Sequence, residues 1–422
     1  MAKKAFSLTF ATALLFAALC TGCSAKQERR IVIWTSSSEF APYIELFNET
    51  HRQKAVLVYK ENPAVSMPPE NGEQEPDIVI GPWLRNARTK HFFKPIDFLF
   101  DRKYISSKDF YPMLLEAGVF SRQQYLLPVS FNIPAMIFSQ ENKEFVEDNY
   151  TISLDQIKKA GTAYNKKDKN GSFTRIGFAP QSSDKFLYLT AKIRGADFRE
   201  AKNATFTWNE SSLAGTIDYL SKWISETNGS VRTENDFVYK YLSETDDKRV
   251  TSGRTLFAYM TSDQLFKLSE SQRSKIDFRW IQNDKKIPVE DSMIMMGISR
   301  NAANKAGAAD FISWFFKTET QQALLERSAS MHLGTTKFGI ADGFSAIKEV
   351  NESILPGYYT ALLSNIPQPG SFKVYEKKPA RWEKIKQNII IPYIKESLAS
   401  DQTKRIPSIN ERYTEWKKQR FN

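Results

Sequence analysis

Apolar and polar positions alternate along the chain in a way that places strands and helices in turn. Arg30–Trp34 (RIVIW) reads as a short buried strand. In TSSSEFAPYIELFNETH, which follows it, Phe40, Ile44 and Phe47 fall on one helical face. Pro42 belongs in a first helical turn, so the helix is expected to start near Glu39–Ala41. Ser36 and Glu39 have capping-box spacing, and Thr35–Ser38 forms a hydroxyl-rich loop beneath the helix N-terminus. That loop suits either ordinary capping or contacts to polar or anionic ligand atoms. Ala55–Tyr59 and Pro76–Trp83 (PDIVIGPW) read as further strands, separated by a Pro- and acid-rich loop over Asn62–Glu75.

Tyr125–Ser139 (YLLPVSFNIPAMIFS) is the stretch around which the rest is organised. Strand-type residues crowd both sides of Pro128 and Pro134, and two prolines so close exclude one continuous central strand. The segment is expected to leave one sheet and enter another, with Asn132 between Phe131 and Ile133 in the middle of the crossing. Asn132 is then either an interior amide paired with backbone or a polar group at a hinge facing a cleft. Further on, Arg175–Pro180 (RIGFAP) reads as a buried strand. Asn209–Ile224 carries the helical stripe Leu213, Ile217, Leu220 and Ile224, with Trp223 expected in the core. Ile389–Ser397 is helical in pattern.

The 422 residues suffice for two or three domains with a large core, and 41% hydrophobic with 25% charged content is an ordinary globular balance. Aromatics reach 13%, which fits either large cores or stacking platforms for sugar rings. The formal charge is +11, concentrated in residues 371–422, where thirteen Lys/Arg face six Asp/Glu. Solvated helix faces account for that excess, and no nucleic-acid-binding signature accompanies it.

Residues 1–22 read as a secretory signal: Lys3-Lys4, an apolar run from Ala5 to Leu19, then small residues. The run ends LCTGC and resembles a bacterial lipobox, with Cys23 as the lipidated residue and Cys20 where the pattern prefers Leu. The expected mature chain has one cysteine and no internal disulfide, so packing alone must hold the fold. The expected location is the extracytoplasmic face of a bacterial membrane, reached through that lipid anchor.

Catalytic signatures are absent. The three histidines, His51, His91 and His332, have no ligand-type partner at i, i+4, and no nucleophile-elbow, phosphate-loop or dinucleotide-loop pattern occurs. Neither enzyme activity, nor a cofactor, nor a metal is expected.

The chain resembles the family 1 extracellular solute-binding proteins, the group that includes the maltodextrin- and glycerol-phosphate-binding proteins. Tyr125, Pro128, Asn132, Ala135 and Phe138 occupy the places of that family's first crossover. Pro76–Ile78 and Phe92–Asp97 (FFKPID) match its third strand and the segment beyond. Ala308, Ala309, Phe311, Ile312, Trp314 and Gln321 match its long helix, expected over Asn301–Leu325. Val250–Met260 resembles its F-x-x-G-x-x-A-M segment, without the usual G-P-W after it, and Ile287–Ile298 resembles its return crossover.

The resemblance implies an α/β, two-lobed periplasmic-binding-protein fold of class II type, with the lobes joined by hinge crossovers. The N-terminal lobe would hold residues 23–132 and 291–335, and the C-terminal lobe 133–290 and 336–422. A small solute would be captured between lobes that close, then presented to the membrane subunits of an ABC permease. Implied ligand-binding residues are Trp34, Ser36, Ser37, Ser38, Trp83, Arg85, Asn132, Gln181, Ser182, Ser183, Thr261, Ser262, Tyr375 and Arg381. Carbohydrate is the leading ligand. A glycerol-phosphate-type organophosphate, favoured by Arg85, or a surface lipoprotein with no transport role, are the alternatives.

Overall fold

The computed structural model describes residues 29–202, 205–331, 336–400 and 405–421. The expected signal segment, Cys23 and His332 lie outside the described residues.

Two separate sheets carry the architecture. The first contains β1 (Ile31–Thr35), β2 (Ala55–Tyr59), β3 (Ile78–Gly81), β4 (Leu127–Phe131), β10 (Ile294–Ile298) and β11 (Phe344–Ser345). Their spatial order is β11-β4-β10-β3-β1-β2. Strands β2 and β3 flank β1 in parallel, whereas β10 runs antiparallel to β3 and β4. Every residue of β1 and β3 is buried, which is why both read as unbroken apolar runs. Helix α1 (Phe40–Thr50) packs Phe40, Tyr43, Ile44 and Phe47 into the core, with Glu39 as its N-cap. The Ser36–Glu39 capping box does not form: the Glu39 carboxylate instead accepts from Ser37 Oγ at 2.7 Å.

The second sheet contains β5 (Pro134–Ser139), β6 (Thr151–Ile152), β7 (Ala258–Thr261) and β8 (Ile276–Ile281), in the order β7-β5-β8-β6. Around it stand α2 (Asp184–Ala191), α3 (Glu210–Trp223), α4 (Ser262–Phe266) and α7 (Ile391–Ala399). The expected strand over 175–180 is shorter and displaced, with ladder pairing only at Phe173–Arg175. Beyond it, Ile176 and Gly177 hydrogen-bond alongside Arg254–Phe257. Glycine is required at 177, because a Cβ there would lie 2.1 Å from Gly161 Cα. The expected single helix over 301–325 is two helices, α5 (Lys305–Phe315) and α6 (Thr318–Ser330), broken at Phe316–Lys317.

The outer edge of β8 is finished in an unusual way. Strand β6 reaches only Trp280 and Ile281, so among the described residues no strand pairs with Ile276–Arg279 on that side. The alternation that sends Trp280 N–H to Tyr150 O also turns Phe278 N–H and C=O outward. Asp277 Oδ1 accepts from Phe278 N–H at 2.8 Å, and Arg279 Nη1 donates to Phe278 C=O at 2.8 Å. The two charged groups also pair with each other at 3.1 Å. The strand's own side chains thus close its open edge.

The chain passes between the sheets at Asn132-Ile133 and again over 282–293. A later passage lies between β11 and β12 (Phe372–Lys373), which pairs in parallel with β9 (Ile287–Pro288). Pairing of β11 with β4 carries the first sheet as far as Ser345, beyond the boundary expected at 335. The high Trp content serves the core: Trp34, Trp223, Trp280 and Trp382 are fully buried.

Candidate functional site

Between the sheets lies a cavity of about 440 Å³ walled by both lobes. The first lobe contributes Ser36, Ser37, Glu39, Trp83, Asn132 and Asp342; the second contributes Lys185, Tyr188, Thr261, Asp263, Glu383 and Lys386. A larger hollow of about 910 Å³ opens along β8 and residues 358–365, but residues of the second lobe and the later passage alone wall it. The interlobe cavity is the better candidate, since clefts at domain interfaces are where small ligands are usually enclosed.

Local folding explains what reaches the cavity. β1 ends at Thr35, whose Oγ1 accepts from Ser37 N–H at 3.1 Å and turns the Ser36–Ser37 loop into the cleft. After β3, Gly81 lets the chain pass close to this loop, and Trp83 follows with φ +63°. A left-handed conformation is strained for so bulky a residue. It is held by Asn86, whose Nδ2 donates to Trp83 O at 2.7 Å and whose Oδ1 caps Thr89 N–H at 2.9 Å. On the opposite wall, Thr261 is the N-cap of α4, in a reciprocal capping box with Gln264.

Asn132 lines the cavity, yet its amide is committed. Oδ1 accepts from Ser262 Oγ at 2.5 Å, and Nδ2 donates to Asp342 O at 2.9 Å. Its carbonyl accepts from Glu290 N–H at 2.8 Å. Ser262 is fully buried and also receives Ile133 N–H at 3.2 Å, so it serves the crossing and does not line the cavity.

Several expected residues lie elsewhere. Trp34 is buried in β1 beneath Lys60, 4.3 Å from its ring, because its position in β1 points into the core. Ser38 is exposed and turns to Glu39. Gln181 is buried, its N–H donating to Glu234 at 3.1 Å; Ser182 bonds to Ala179 O at 2.6 Å; Ser183 caps α2. Arg381 precedes the short helix Trp382–Ile385 and does not line the cavity. Arg85 and Tyr375 meet each other, Arg85 Nη1 donating to Tyr375 O at 2.7 Å, in a crevice of about 30 Å³. Burial lowers the Arg85 guanidinium pKa.

The second passage contains an ionic cluster that the sequence reading did not identify. Lys192 Nζ lies 2.8 Å from Asp291 Oδ1 and donates to Val289 O at 2.7 Å. Lys378 Nζ approaches the same carboxylate at 4.0 Å, and Tyr188 donates its hydroxyl to Oδ2. Trp382 Nε1 completes the chain, donating to Tyr188 Oη at 3.2 Å. Burial alone would raise the Asp291 carboxyl. The Lys192 and Lys378 charges, with hydrogen bonds from Lys192 and Tyr188, outweigh it and hold the carboxyl well below the usual range. Burial pushes the Lys378 ammonium down to about 8. The adjacent acids Glu290-Asp291 inside an apolar crossover were the signal available in the sequence.

Charge in the cavity differs from that of the chain. Glu39, Asp263, Glu290, Asp342 and Glu383 line it, against Lys185 and Lys386, in a protein of formal charge +11. Lys267 pairs with Asp342 from behind, and Lys386 with Glu383 at 2.8 Å. Among the described residues no group of three or more His, Cys, Asp or Glu is arranged to hold a metal ion.

No protein-family model and no curated relative matches the sequence. Solved structures do. The sugar-binding protein MalE from Xanthomonas citri superposes with a TM-score of 0.67 at 10% identity, over 93% of this chain and 96% of that one. A Listeria monocytogenes ABC substrate-binding protein in complex with cycloalternan gives 0.60 at 12% identity, over 92% and 97%. The cyclic alpha-maltosyl-1,6-maltose binding protein from Arthrobacter globiformis gives 0.59 at 15% identity, over 92% and 96%. The likeness spans nearly the full length of each, and the fold of this chain is the α/β, two-lobed fold of the MalE-like periplasmic binding proteins.

Proposed function

We propose that this chain is the solute-binding component of an ABC importer and captures a neutral carbohydrate between its lobes. The observation that carries the reading is the interlobe cavity, lined by Ser36, Ser37 and Thr261 together with five carboxylate residues and Trp83. Carboxylates and hydroxyls bind sugar hydroxyls well, and an aromatic ring supplies an apolar face for the ring of a sugar. The structural neighbours, whose names identify them as binding sugars, support the same choice.

The organophosphate alternative loses ground on charge. Five carboxylates and two lysines line the cavity, and Arg85, the cation that favoured an anion, is directed to Tyr375 O. Capture would proceed by a shift toward the closed arrangement, since a ligand touching both walls binds that state better. The first lobe in this reading runs from the expected anchor at Cys23 through Asn132 and includes β10 and β11. Delivery to permease subunits from the extracytoplasmic membrane face, with Cys23 lipidated, completes the proposal.

Calorimetric titration with maltotriose, mannotriose and glycerol phosphate tests it. A trisaccharide should bind with little dependence on ionic strength, and Trp83→Ala should weaken that binding by about tenfold or more, roughly 1.4 kcal/mol. Arg85→Ala should change it little. Glycerol phosphate binding that weakens with salt, or no binding by either trisaccharide, would overturn the carbohydrate reading. Membrane fractionation of Cys23→Ala tests the anchor, with release from membranes expected.

A further inference from the structure

Apart from the cavity, the lobes meet along a strap, residues 372–381, which leaves β12 and runs beside the first lobe. Arg85 Nη1 holds it through Tyr375 O at 2.7 Å, and Asn62 Nδ2 through Ala380 O at 3.2 Å. A short hairpin of the second lobe, Arg199–Glu200 paired with Phe206–Thr207, reaches the same strap. There Glu200 N–H donates to Lys377 O at 2.8 Å. The Glu200 side chain is only 2% exposed and lies 3.7 Å from Lys377 Nζ. Its Oε2 also accepts the backbone N–H of Ala87, in the first lobe, at 2.8 Å. One buried carboxylate therefore touches both lobes and the strap between them.

We propose that Glu200 is a latch that holds the two lobes in the arrangement described here, with Ala87 and Lys377 both against it. It is a positioning residue: it lines no part of the cavity and acts on ligand capture by setting how much of the population is closed. Burying a carboxylate is costly, and this one is compensated only where Ala87 and Lys377 come to it together. Separating the lobes removes the Ala87 N–H and leaves the carboxylate with Lys377 and water. A contact made in this arrangement and lost on such separation is what a latch requires. Its role in capture rests on the binding function proposed above, but its effect on closure does not.

The geometry supplies a clean partner mutation. Ala87 is the first residue of the helical turn Ala87–Lys90, and Asn86 before it has φ −149° and ψ 168°. Proline suits that first position, and the extended Asn86 already has the conformation a following proline requires. Ala87→Pro removes the N–H that Glu200 accepts while leaving the local backbone in place. Spin labels on cysteines at the exposed positions Asp101 and Lys169, one per lobe, report the interlobe distance without any sugar. The two natural cysteines are replaced by serine for this measurement. Ala87→Pro and Glu200→Ala should each lengthen and broaden the distance distribution, and the double variant should do no more than either alone. Glu200→Gln, which keeps an acceptor for the Ala87 N–H but loses the charge facing Lys377, should fall between wild type and Glu200→Ala. Melting curves confirm that each variant is folded. Unchanged distributions in the folded single variants, or shifts that add in the double variant, would overturn the latch. Failure of trisaccharides to bind would overturn the carbohydrate reading and leave this result standing.

Discussion

The chain crosses the cleft at Asn132 and again at Asp291, and the two crossings handle buried polarity by opposite means. At the first, a neutral amide makes one hydrogen bond through Oδ1 and one through Nδ2, while its carbonyl takes a third. At the second, a carboxylate 5% exposed gathers Lys192, Lys378 and Tyr188. Both tie remote segments to a crossover, but their sensitivities differ. A neutral hub loses its own bonds when it is removed. An ionic hub also strands its partners, and an unpaired buried charge costs more than a lost hydrogen bond.

The largest effect should come from Asp291→Ala, which leaves Lys192 and Lys378 buried without their counterion. A loss of about 3–5 kcal/mol in denaturant unfolding is expected. A loss under about 1 kcal/mol would show that water reaches the cluster and that the two crossings are alike. Asn132→Ala should cost less, about 1–3 kcal/mol. It should also loosen the tie between Ser262 and Asp342, visible as faster amide exchange at Ile133 and Glu290.

Acid titration sharpens the contrast further. The Asp291 carboxyl is depressed below its ordinary value of 3.8, so its stabilisation is present above that value and lost as pH falls toward the folded one. Asn132→Ala should keep this acid limb of the stability profile, and Asp291→Ala should flatten it. An effect confined to alkaline pH belongs to Lys378, whose ammonium is lowered from 10.5 to about 8. The unfolded chain binds the extra proton between those values, so stability should rise as pH climbs from about 8 to 10.5. Lys378→Met should remove that rise, which chemical denaturation across this range would detect.

The same contrast marks what could be read from sequence. Asn132 stood out because it interrupts an apolar run between two prolines, all within one short stretch. Asp291 meets lysines about a hundred residues away on either side, and no local spacing announces such a meeting. β1 and β3 were legible because strands buried on both faces are apolar throughout. That same burial misled the reading of Trp34, whose place at a strand end suggested a cleft although its ring turns into the core. Trp83 reaches the cleft through a left-handed φ that no residue pattern encodes for tryptophan. The break between α5 and α6 carries neither proline nor glycine, so periodicity ran across it. In the second lobe, only analogy of position places Gln181–Ser183 at the cleft. There their polar groups go to capping, backbone and Glu234.

The closure of the β8 edge has a consequence for how the protein survives its own folding. Asp277, Phe278 and Arg279 are consecutive, so their clip needs no distant partner and can form once the strand is extended. Strand edges are most hazardous while a large chain is partly assembled, when neighbouring molecules can add to them. A guard written into three adjacent residues is in place during that interval. A guard supplied by a later segment, such as residues 358–365 alongside β8, would arrive after the danger had passed.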